Sequence, residues 1–184
     1  MALRYPRDYW WMFPALASTA SYAMLMACLH RHAPEDRKGL TLIGLLFAIL
    51  AAGTLLVDYF VQVSVIQPSL LAGETEGIAL ISQYNSHGIF IALDEPGYLL
   101  MSLSFPWMAA AFPGRNGVER AARRALHGGF VLTLAALATI SAVYGIRREY
   151  RFEIAAISID WLVLILFSSL AAVMFRRAGR RFHA

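Results

Sequence analysis

The chain has 184 residues, 59% of them hydrophobic and only 15% charged, with a mean hydropathy of +0.56. That apolar excess is far beyond what the core of a soluble domain this size requires, which excludes an ordinary water-soluble fold. A formal charge of +4 raises nucleic-acid binding as a reading, but the basic residues stand at the ends of apolar blocks with no aromatic-basic face beside them, so no nucleic-acid partner is expected.

The first apolar block covers residues 10–29, with Trp10 and Trp11 placed as interfacial anchors. Its stretch Leu25, Met26, Ala27, Cys28 partly resembles a lipoprotein cleavage signal. Met fits that pattern poorly and cleavage would place a basic connection outside, so the block is read as a span. Cys28 is the single cysteine, which leaves no intrachain disulfide and no thiolate metal cluster. In the connection that follows, His30, His32, Glu35 and Asp36 alternate with Arg31, Arg37 and Lys38, the pattern of a solvated loop, and no metal is expected.

The second block, residues 40–66, carries a small-residue row of Gly44, Ala48 and Ala52, suited to close helix packing. It also carries Thr54, Asp58 and Gln62 at helical spacing on one face. Residues 67–88 form the only long connection, in which Glu76 to Tyr84 predict a short interfacial helix opened by Thr75. His87, near its end, either shuttles protons or starts the next helix.

The third block, residues 89–112, is interrupted by Pro96 and Pro106 and holds Asp94, Glu95, Tyr98 and Ser102. The fourth covers residues 126–146 with Ser141 and Tyr144, and the fifth residues 154–175 with Asp160 and Trp161. Each block crosses about 30 Å of hydrocarbon as a helix, the only open-chain structure that satisfies its own backbone in lipid. The expected fold is therefore all-α: a single membrane domain, 1–184, built as an integral membrane bundle of five transmembrane helices.

Basic residues set the orientation. Arg31, Arg37 and Lys38, then Arg115, Arg120, Arg123 and Arg124, then the four arginines of the tail lie on one side, eleven against five on the other. The richer side is cytoplasmic by the positive-inside rule, which places the N-terminus and the loop 67–88 outside and the C-terminus inside, in the cell (inner or plasma) membrane.

Under this topology Asp58, Asp94, Glu95 and Asp160 fall in the outer half of the bilayer, where a carboxylate costs several kcal/mol unless it meets water, a partner or the bundle interior. They are expected to converge on an outward-opening pocket with Gln62 and Tyr98, lined further by Ser18, Tyr22, Ser141 and Tyr144. Two plainer readings stand beside this: Asp94 as the N-cap of a helix starting at Glu95, and Asp160 paired with Arg147, Arg148 or Arg151.

The pocket reading predicts binding of a small amphiphile or cation, with Asp58 and Glu95 as charged contacts and Gln62 and Tyr98 orienting the ligand, in a transport or accessory role. The span count and the acidic residues on middle helices resemble the five-span membrane sterol isomerases in architecture alone. That likeness implies the alternative of an acid-base enzyme on a lipid-like substrate, with Asp58 and Glu95 as its catalytic candidates. A third reading makes the carboxylates clasps in a structural protein that assembles as a homo-oligomer or with a membrane partner. No phosphate loop, HExxH helix or nucleophile elbow occurs, so no cofactor is expected and the lipid bilayer is the one certain partner.

Overall fold

The computed structural model describes residues 7–182; Arg4, one of the five basic residues counted on the outer side, lies outside them. The structure is 86% helix, with no strand among the described residues. Five long helices carry it: α1 (Met12–His32), α2 (Lys38–Val61), α3 (Ile89–Met108), α4 (Gly117–Tyr144) and α5 (Arg151–Phe182).

α1 ends where Pro34 forces the preceding residue out of helical geometry, and Ala33 is extended. α2 runs beyond the expected end at residue 66. It passes through a π turn, Gln62–Ile66, into a further helical stretch, Gln67–Leu71. Pro68 cannot donate to the carbonyl of residue 64, and the chain enters it with the Gln67 N–H bonded to the Gln62 carbonyl instead. The long connection is thus shorter than expected. Within it only Ile78–Ile81 is helical, opened by Gly77 at φ +74° and not by Thr75.

α3 starts after Gly88, so Asp94 stands five residues inside the helix and is not its N-cap. Pro96 and Pro106 leave the helix unbroken as far as Met108, where a 3₁₀ turn, Ala109–Ala111, takes over. α4 begins nine residues ahead of the expected span. The Asn116 side chain accepts the Glu119 N–H at 2.9 Å, while the Glu119 carboxylate accepts the Arg115 N–H at 2.8 Å. This reciprocal cap lets the helix start among charged residues, before the apolar block.

α3 packs against α2, α4 and α5, and α1 packs chiefly against α2. The small-residue row works as expected: a Cβ on Gly44 would lie 3.0 Å from the Met108 nitrogen and the Trp107 Cβ. Two other contacts are tighter still, because a Cβ on Gly97 would lie 2.6 Å from Leu55 Cδ2 and one on Gly129 2.5 Å from Val163 Cγ2. Leu55 is fully buried, so its side chain has to shift within the core. Gly97→Ala is therefore expected to cost about 1–3 kcal/mol through overpacking, read as a fall of several degrees in melting temperature.

The outer surface is apolar. Leu46, Ile49, Leu50, Val57 and Phe60 of α2, Val131 and Leu132 of α4, and Leu162, Ile165 and Leu166 of α5 are all exposed. Four helical stretches, Met12–His32, Glu35–Leu71, Gly117–Arg147 and Arg151–Met174, are long and apolar enough to cross a membrane. With polar side chains gathered inside, this is the surface of a membrane protein. α3 is absent from those four because Asp94, Glu95, Pro96 and Gly97 dilute its apolar content, yet it is the helix most enclosed by others.

Candidate functional site

The start of α1, the end of α2 and the starts of α3 and α5 meet at one end of the bundle, beside the loop 72–88. Between them lies a cavity of about 680 Å³. Trp11, Pro14 and Ser18 line it from the α1 side, Tyr59 from α2, Gln83 and Tyr84 from the loop. Phe90, Asp94 and Tyr98 enter from α3, and Tyr150, Glu153, Ile157 and Trp161 from the α5 side. The wall is rich in aromatic rings, with two acids set into it.

A polar chain runs along that wall. The Trp161 indole lies close to the Tyr98 hydroxyl, the Tyr98 and Tyr59 hydroxyls are 2.8 Å apart, and Tyr59 and Glu153 both approach the Asp94 carboxyl. An indole N–H only donates, and the two tyrosine hydroxyls link it to Asp94. Asp58 stands behind the wall, 2% exposed, with Asp94 and Glu153 as its charged neighbours.

Asp58 Oδ2, Asp94 Oδ1 and Glu153 Oε2 are buried without a hydrogen-bond partner. Among the described residues the ion pairs are Arg37–Asp36, Lys38–Glu35, Arg148–Glu95 and Arg151–Glu149, and none of them reaches this cluster. Like charges gathered away from water repel one another, and a proton or a cation offsets that repulsion. No group of three His, Cys, Asp or Glu side chains among the described residues is arranged to hold a metal ion.

Of the residues singled out by sequence, Asp94, Tyr98 and Ser18 line the cavity and Asp58 backs it. Gln62 is buried and holds the loop: its amide N–H donates to the Ile81 carbonyl at 2.7 Å and its oxygen accepts the Gln83 N–H at 3.3 Å. This bond seats Gln83 and Tyr84 over the cavity. Glu95 points elsewhere, into an ion pair with Arg148, whose guanidinium covers the Phe152 ring at 5.7 Å.

Asp160 lies two turns deeper than Glu153 and is fully buried. It accepts from the Ser102 hydroxyl at 2.6 Å, with Thr133 at 3.4 Å, and pairs with none of the nearby arginines. Tyr22 bonds Ser104 at 2.7 Å inside the bundle. Ser141 accepts from Arg148 at 3.5 Å, and the Tyr144 ring carries the Arg151 guanidinium at 4.4 Å. The exposed His87 sits within a turn opened by Asn85, its N–H bonded to Asn85 Oδ1 at 3.0 Å.

Glu153 lines the cavity but is not among the residues expected from sequence, because the fifth apolar block is read from residue 154. Its signal was nevertheless there. Glu153, Ala156, Asp160, Val163 and Phe167 recur three and four residues apart, and all are buried on one face of α5. The aromatic wall was legible only as a membrane belt, since Trp11 and Trp161 come from opposite ends of the chain.

No family model, curated protein or solved structure matches this chain. The functional reading therefore rests on the geometry of the cavity.

Proposed function

We propose that this chain is a five-span membrane protein whose cavity binds a small cationic amphiphile from the outer side of the cell membrane, in a transport or accessory role. One observation carries the reading: Asp94 and Glu153, backed by Asp58, form a buried acidic cluster without a counter-cation in the wall of an aromatic cavity. Aromatic faces attract cations most strongly where water is excluded, and carboxylates supply the opposite charge. A volume of about 680 Å³ suits an organic headgroup.

The amphiphile follows from a second recess of about 420 Å³ that shares Pro14, Ser18 and Trp161 with the first. It continues between α1 and α5 past Leu25, Leu164 and Ile165. A charged head in the acidic cavity would thus leave its tail along an apolar groove open to lipid.

α3 supplies the fifth span in this account. Asp94 and Gly97 are buried against the neighbouring helices and Glu95 is paired with Arg148, so a modest apolar content suffices for this helix. The excess of basic residues around the opposite end supports a cytoplasmic C-terminus and an external N-terminus, with the cavity facing outward.

A second reading, a membrane-embedded acid-base enzyme on a lipid-like substrate, is favoured by the polar chain from Trp161 to Asp94. It shifts the acid and base roles to Asp94 and Glu153, since Glu95 is held by Arg148.

Thermal unfolding in nanodiscs tests the binding reading. Decyltrimethylammonium is expected to raise the melting temperature by several degrees, decyl maltoside is not, and the effect should shrink as the pH falls and protons compete for the carboxylates. Equal shifts from the cationic and the neutral amphiphile would remove the case for a cation site. Turnover of a lipid with a bell-shaped pH profile would favour the enzyme instead.

A further inference from the structure

The end of the bundle remote from the acidic cavity holds a recess of about 500 Å³ between the start of α2, the end of α3 and the start of α4. Arg37, Arg123 and His127 stand at its rim, and Leu40, Trp107 and Phe130 are among its apolar lining. No carboxylate lines it. Arg123 and His127 also border an adjoining recess with Arg120 and Arg124, of about 330 Å³.

The cations here are weakly engaged. Arg37 reaches the Ala110 carbonyl at 3.5 Å and Asp36 at 3.8 Å, both at the edge of contact. Arg120, Arg123 and Arg124 form no ion pair among the described residues. Glu119, the nearest acid in sequence, is committed to capping α4. His127 Nδ1 bonds the Arg123 carbonyl at 2.8 Å, and since a carbonyl only accepts, Nδ1 carries the hydrogen and Nε2 is left for another partner.

We propose that this recess binds an anionic phospholipid, with its phosphate on Arg37 and Arg123 beside His127 and an acyl chain along Leu40, Trp107 and Phe130. Two arginines, one just ahead of α2 and one on α4, match a phosphate in charge and in donor geometry. Basic recesses between membrane helices suit acidic headgroups for this reason. Leu40 is 45% exposed, so the apolar side of the recess is open to lipid. The inference is independent of what the acidic cavity binds.

Native mass spectrometry of the protein released from nanodiscs of equal phosphatidylglycerol and phosphatidylcholine content tests it. The expected result is about a 10-fold preference for retained phosphatidylglycerol, worth two phosphate contacts at a partly exposed site. Arg37→Gln with Arg123→Gln should abolish the preference, whereas Arg37→Lys with Arg123→Lys and the remote Arg147→Gln should keep it. Circular dichroism in phosphatidylcholine shows that each variant is folded. Equal retention of the two lipids by the wild type overturns the proposal, as does a preference that survives the glutamine pair. Displacement of the lipid by millimolar inorganic phosphate would also overturn it, by showing a site for free phosphate.

Discussion

Asp94→Asn and Glu153→Gln are each expected to weaken binding of a decylammonium-type cation by about 10- to 100-fold, and together to abolish it, in calorimetric titration of the purified protein. A contact between a charged donor and a carboxylate is worth about 1.5–3 kcal/mol, which is that range of affinity. Both substitutions keep the shape of the side chain and remove charge from acids that no ion pair among the described residues engages. The fold should therefore tolerate them. Asp58→Asn is expected to cost less, a few-fold, because Asp58 acts on the cation only through the electrostatics of the cluster. A structural role for these acids predicts the opposite result: unchanged binding, with a lower melting temperature.

Ser102→Ala should be the most destabilising of the small polar substitutions, by about 1–3 kcal/mol, because it strips the fully buried Asp160 of its shortest hydrogen bond. Adding Asp160→Asn should restore much of the loss, since the uncompensated carboxylate disappears with its donor. A double-mutant cycle of thermal or denaturant unfolding measures that coupling. Cation binding should remain in the double variant if Asp160 belongs to the framework and not to the ligand contacts. A coupling near zero would show that the Ser102–Asp160 contact carries no stability.

The all-helical architecture was legible because lipid leaves few options for long apolar blocks, and the row of Gly44, Ala48 and Ala52 does pack closely, as its spacing predicts. The ends of the helices were not. The cap formed by Asn116 and Glu119 starts α4 among charged residues that hydropathy assigns to a loop, and the π turn carries α2 past Ile66.

At the site, helical spacing brought out Asp94 and Tyr98 on one face. It had no means of telling Asp94 from its neighbour Glu95, which turns to Arg148, 53 residues away. Nor does spacing within one helix foretell that Gln62 is spent on the loop or that Asp160 finds Ser102 and Thr133. Those outcomes depend on which helices become neighbours, information that lies in packing and not in periodicity.

Photo-crosslinking in intact membranes with an alkylammonium ion carrying a diazirine tests the central claim most directly. The account predicts labelling of cavity residues such as Phe90, Ile154 and Ile157, abolished by excess unlabelled cation and by the Asp94→Asn/Glu153→Gln pair. Labelling spread over lipid-facing residues such as Leu46 and Leu162, unaffected by competitor, would contradict it.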